Sequence, residues 1–143
     1  MTPGGGAGRG GTRGPEDGGD LHTMLRAWAR GLFPLEAATE LLIRAGFARA
    51  QDPWVRRGAA GTSGSGAAWI DFAAVSAFVE PVSAGDRRLL LFAASLSGVD
   101  GAPAVRLGEL MSVEPRRLAL LVAALAHAGG RHDVWWTAPA TTS

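Results

Sequence analysis

From Trp69 to Gly130 three apolar segments follow one another, each opened by a capping residue and closed by glycine or proline. In the first, AWIDFAAVSAFVEP, Asp71 is placed to cap a helix with Phe72, Val75 and Val79 on one face and Pro81 at its end. In the second, Ser83-Ala84-Gly85-Asp86 fits a capping box with aspartate in the acidic position, predicting a helix that runs to Ser97 and stops at Gly98. The third is predicted over Val113 to Ala128, with Ser112 or Glu114 at its start, Pro115 in its first turn and Gly129-Gly130 after it. Leu118, Leu121, Val122 and Leu125 mark one face, while Leu120, Ala123 and Ala124 leave little polar surface, the pattern of a central core helix. Leu107 to Met111 reads as a short helical turn before it.

Upstream, Leu25, Trp28, Ala29 and Leu32 recur at helical spacing and predict a helix over Thr23 to Leu32, punctuated by Gly31 and Pro34. A second is expected from Leu35 to Ala45, closed by Gly46. Its buried stripe is Leu35, Ala38, Leu42 and Ala45, widened by Leu41, and its solvent stripe is Glu36, Glu40 and Arg44. Between Ala45 and Asp71 the texture changes. Trp54-Val55-Arg56-Arg57 and Ala68-Trp69-Ile70 are short β-capable runs around the Gly- and Ser-rich Gly58 to Ala67, predicting a small hairpin with a flexible tip. The fold class is therefore mainly helical α+β: a compact bundle of about five helices, a small hairpin, and a C-terminal half with helix-turn-helix character.

The first twenty residues are Gly-rich and carry no apolar period, so residues 1–20 read as a disordered tail, 21–136 as one helical domain and 137–143 as a second tail. Arg9-Gly10-Gly11 is a single RGG element within the first tail. A chain of 143 residues, 47% of them hydrophobic, suffices for one real core. Its longest apolar run, Leu118 to Ala126, is far short of the roughly 20 residues of a membrane span. No basic region followed by an apolar stretch opens the chain, so the cytoplasm is the expected compartment and no membrane contact is expected.

Composition removes several chemistries. Cysteine is absent, which excludes disulfides, thiolate catalysis and cysteine-ligated zinc. Lysine is absent too, and with it the Walker A phosphate loop. Gly61 to Gly66 matches neither a dinucleotide fingerprint nor a nucleophile elbow, and reads as a plain loop. His22, His127 and His132, with Asp133, have no spacing that aims two imidazoles from one helix at an ion, so neither metal nor cofactor is expected. His127 reads instead as a cation at the end of its helix. No catalytic residues are nominated.

Two features remain. All fourteen basic residues are arginine, and three adjacent pairs stand out: Arg56-Arg57, Arg87-Arg88 and Arg116-Arg117. Two pairs fall in the first turn of a helix, where the macrodipole disfavours cations. If the pairs converge they offer phosphate contacts to nucleic acid; otherwise Asp86 and Glu114 neutralise them locally. A net charge of +1 is modest for a nucleic-acid binder. The predicted last helix offers no polar side chains for base edges beyond Arg116 and Arg117 until His127. Of the five tryptophans, Trp28, Trp54 and Trp69 read as core, while Trp135 and Trp136 suit docking of a partner or of a second copy. The preferred reading is a non-enzymatic interaction module binding a protein partner or itself; a nucleic-acid-binding accessory protein is the alternative.

Pro53-Trp54-Val55, Trp69-Ile70-Asp71-Phe72, Ser83 to Leu96 and Arg116 to Gly130 together resemble a group of small actinobacterial proteins of high-GC genomes. In that group SGGE stands where this chain has Ser83-Ala84-Gly85-Asp86, so the cap and the acid are kept. The resemblance implies no activity and no site residues.

Overall fold

The computed structural model describes residues 14–58, 67–79 and 82–136. The expected tail elements at residues 1–13 (with Arg9-Gly10-Gly11) and 137–143, the hairpin tip, Pro81 and the Trp136 side chain lie outside the described residues. In chain order the elements are α1 (Gly14–Ala29), α2 (Phe33–Ala45), β1 (Val55–Arg57), β2 (Ala68–Ile70), α3 (Val75–Phe78), α4 (Ala84–Leu96) and α5 (Pro115–Ala128). Short 3-10 turns occupy Phe72–Ala74, Leu107–Ser112 and His132–Trp136. The mainly helical class with one antiparallel hairpin is as expected. No helix among the described residues is long and apolar enough to cross a membrane.

The first helix begins at Gly14, not Thr23, so residues 14–20 of the expected tail are helical. Leu21, Leu25 and Ala29, four residues apart, are all buried and anchor it; this packing outweighs the cost of about 1 kcal/mol per helical glycine. Gly31, at φ +102°, turns the chain between α1 and α2. Pro34 lies in the first turn of α2, where its missing N–H costs nothing, rather than ending α1.

The central helix is α2, not α5. It packs against α1, α4 and α5, and Ala37, Ala38, Thr39, Leu41, Leu42 and Ile43 are all buried. On α5 the buried residues are Leu120, Leu121, Ala123, Ala124 and His127, whereas Val122 and Leu125 are 57% and 48% exposed. The apolar face expected at 118, 121, 122 and 125 is thus only partly the buried one. Ala123 and Ala124 turn inward beside Leu120 and Leu121, and Val122 and Leu125 are left outside.

Local signals set the remaining elements. The Ser83 hydroxyl accepts from the Asp86 N–H at 3.2 Å, and Gly98 follows α4 at φ +78°. Asp71 accepts from the Ala74 N–H at 3.2 Å and so caps the 3-10 turn leading into α3. The hairpin pairs Val55 with Ile70, Arg56 with Trp69 and Arg57 with Ala68. Trp54, buried beneath it, donates from Nε1 to the Phe47 carbonyl at 2.7 Å. The element before α5 is a 3-10 turn, so the expected helix-turn-helix outline lacks its first α-helix.

Candidate functional site

The stripe Glu36, Glu40, Arg44, expected to face solvent, is a polar seam instead. Arg26 reaches across from α1 and grips Glu40 through Nε and Nη2, both at 2.9 Å, while Arg44 Nε donates to Glu40 at 2.8 Å. Burial raises the Glu40 pKa, but the two guanidiniums outweigh it and hold the carboxyl below its ordinary value. Because α2 is enclosed by neighbours, its polar stripe meets other elements rather than water.

One turn earlier Glu36 joins three segments. One carboxylate oxygen accepts from the Gly31 N–H at 2.7 Å, and the other lies 2.9 Å from His127 Nε2 at the end of α5. Here too burial works to raise the pKa, and the Gly31 N–H and His127 overcome it and depress it. The other ring nitrogen of His127 receives the Trp135 indole N–H at 2.6 Å. Indole can only donate, so Nδ1 presents its lone pair and Nε2 carries the proton given to Glu36. His127 is therefore the middle of a Glu36–His127–Trp135 chain, not simply a helix-terminal cation. Trp135, expected at a docking surface, is only 6% exposed; its ring lies under the Arg44 guanidinium at 5.0 Å.

His132 stacks on His127 at 4.3 Å, and the edge of Phe33 meets it at 4.5 Å. Glu36, His127 and His132 bring one ligand atom each to within 4.8 Å of one another. This is a different set from the one the histidines suggested: His22 is not part of it, and Asp133 pairs with Arg131 at 3.4 Å. Two imidazoles and a carboxylate are the ligand set of many zinc enzymes. The wiring opposes that use. A histidine that ligates through Nε2 carries its proton on Nδ1, where the Trp135 N–H already points. Two donors would then face each other at hydrogen-bond distance.

Beside this chain a cleft of about 220 Å³ is lined by Arg26, Ala29, Arg30, Glu36, Thr39, Glu40 and His127. Thr39 is buried and its hydroxyl has no hydrogen-bond partner, alone in this among buried side-chain polar atoms of the described residues. None of these lining residues was nominated from sequence. A threonine directly after Ala37-Ala38 on the apolar side of α2, and arginines four apart at positions 26 and 30, were the available signals.

A second cavity, about 360 Å³, is a mostly apolar groove between the end of α1, β2 and the end of α4. Trp28, Leu32, Trp69, Phe72 and Val99 contribute to its walls. Trp28 and Trp69, expected in the core, are 37% and 36% exposed; of the three, Trp54 alone is buried.

The arginine pairs are only partly gathered. Arg117 pairs with Asp86 and lies 5.4 Å from the Phe47 ring centre, tying the starts of α4 and α5 together. Arg87-Arg88 and Arg116-Arg117 thereby belong to two joined helix ends, and the acid joining them is Asp86 rather than Glu114. Arg56 reaches Asp71 at 3.4 Å, and Arg57 is exposed on β1.

No protein-family profile, curated protein or solved structure matches the chain, and the resemblance to actinobacterial proteins gains no support there.

Proposed function

We propose that the chain is a non-enzymatic interaction module whose groove takes an apolar, acid-flanked segment of a partner protein. The observation that carries this reading is the pair of half-exposed indoles, Trp28 and Trp69, at the walls of one groove. Tryptophans of this kind dominate the energetics of protein interfaces, and their burial is worth roughly 25 cal/mol per Å². A segment presenting leucine or phenylalanine at helical spacing matches such walls.

Charge selects the flank. Arg56 pairs with Trp69 in the hairpin register, so the two side chains leave the same face. Its contact with Asp71 is long and exposed, a kind worth little, so an acidic partner residue can capture it. The nucleic-acid reading has less behind it, because Arg117 is committed to Asp86 and to Phe47. The cytoplasm remains the compartment we assign.

The test is a titration of the full chain into a labelled amphipathic peptide with leucine and phenylalanine on one face and glutamates at its end. Saturable binding is expected, weakened about tenfold, or about 1.4 kcal/mol, by Trp28→Ala with Trp69→Ala. A lysine-flanked peptide should bind more weakly. No saturable binding, or binding indifferent to the two substitutions, overturns the reading. Dimerisation of the chain lost in that double variant would assign the groove to a second copy instead, and tighter binding of duplex DNA would favour the arginine pairs.

A further inference from the structure

The cleft between the end of α1, the start of α2 and the last turn of α5 is separate from the groove, and its chemistry is different. We propose that it binds a small oxyanion, a carboxylate or phosphate group, through Arg26 and Arg30.

Arg30 stands four residues after Arg26, one position past the end of α1, and both line the cleft. Arg26 is partly answered by Glu40 through Nε and Nη2, which leaves Nη1. Arg30 lines the cleft and has no ion pair among the described residues. The carboxylates in the same wall leave Arg30 and the Arg26 Nη1 unused. Glu40 is held between Arg26 and Arg44, and Glu36 between the Gly31 N–H and His127 Nε2. Of the cations in this wall, Arg26 is paired with Glu40, and Arg30 is the one without an ion-pair partner among the described residues.

The buried Thr39 hydroxyl is an independent mark of the same place. A buried polar group left unpaired is destabilising, and native proteins seldom keep one without a water, an ion or a ligand to serve it. Thr39 belongs to the wall that also carries Glu36 and Glu40. A cleft of about 220 Å³ has room for a phosphate or a short-chain carboxylate.

Calorimetric titration of the full chain with inorganic phosphate, and separately with succinate, tests this at ionic strength held constant with chloride. Saturable heat is expected with at least one; which of the two binds more tightly identifies the anion class. Arg30→Gln, at an exposed position, should weaken binding roughly tenfold without lowering the melting temperature. Thr39→Val should also weaken binding while the melting temperature holds or rises, a combination that a purely structural threonine does not produce. Absence of saturable heat with both anions, or full affinity in Arg30→Gln, overturns the proposal. The peptide titration at the groove is unaffected by either result.

Discussion

The indole N–H of Trp135 and the Nδ1 of His127 face each other at 2.6 Å, and this contact fastens the end of the described chain to the last turn of α5. The link continues through His127 Nε2 to Glu36 on α2, and Arg44 adds a hydrogen bond from Nη1 to the Trp135 carbonyl at 3.3 Å. Replacing Trp135 therefore acts on stability before it acts on any partner. Trp135→Ala should cost about 3–5 kcal/mol through the lost packing of a buried ring. Trp135→Phe, which keeps an aromatic ring but orphans Nδ1, should cost about 1–3 kcal/mol. Urea denaturation of the two variants checks both figures.

Acid should loosen the seam around α2. Glu36 and Glu40 both have pKa values depressed from an ordinary 4.5. A depressed carboxylate contributes stability that is fully present above its unfolded value and is lost as pH falls through the folded one. Urea midpoints should thus be level with respect to these two groups near neutrality and fall below about pH 4.5, as the linkage requires. In Glu40→Gln the fall should be shallower from a lower starting stability. An equally steep acid limb in that variant would contradict the assignment.

Zinc provides a check on the histidine wiring. An ion that bound only the folded chain at a hundred times its Kd would add about 2.7 kcal/mol and raise the melting temperature. With Nδ1 occupied by the Trp135 N–H, excess zinc should leave the melting temperature where it was. In Trp135→Phe, where Nδ1 is free to carry the proton, zinc stabilisation becomes chemically accessible. Stabilisation of the unsubstituted chain would show that His127 adopts the other tautomer.

What could be read before folding was the chemistry that acts within a few residues. Ser83 and Asp71 as caps, Gly46 and Gly98 as helix ends, and the hairpin pairing of 55–57 with 68–70 all depend on neighbours in sequence. The polar seam was not legible, because Glu40 finds Arg26 fourteen positions away and Glu36 finds His127 ninety-one away. Periodicity identified the charged face of α2 and could not say that other elements would cover it. On α5 the apolar pattern ran round the helix, and the face of larger side chains that included Val122 and Leu125 was expected inward where Ala123 and Ala124 are buried instead. Trp28 and Trp69 were assigned to the core on hydrophobicity alone, and hydrophobicity does not distinguish a core wall from a groove wall. The N-terminal part of α1 was hidden by glycine content, which tertiary burial of Leu21 overrode.

A partner seated in the groove reaches Trp28 and Trp69 and leaves the buried indoles untouched. Each indole N–H gives its own signal in a nitrogen-15 proton correlation spectrum, so one titration with the acid-flanked peptide reads the groove and the chain interior together. The signals of Trp28 and Trp69 should shift and saturate together, while those of Trp54 and Trp135, held by the Phe47 carbonyl and His127, should stay in place. A shift confined to Trp135, with Trp28 and Trp69 unmoved, would contradict the groove reading.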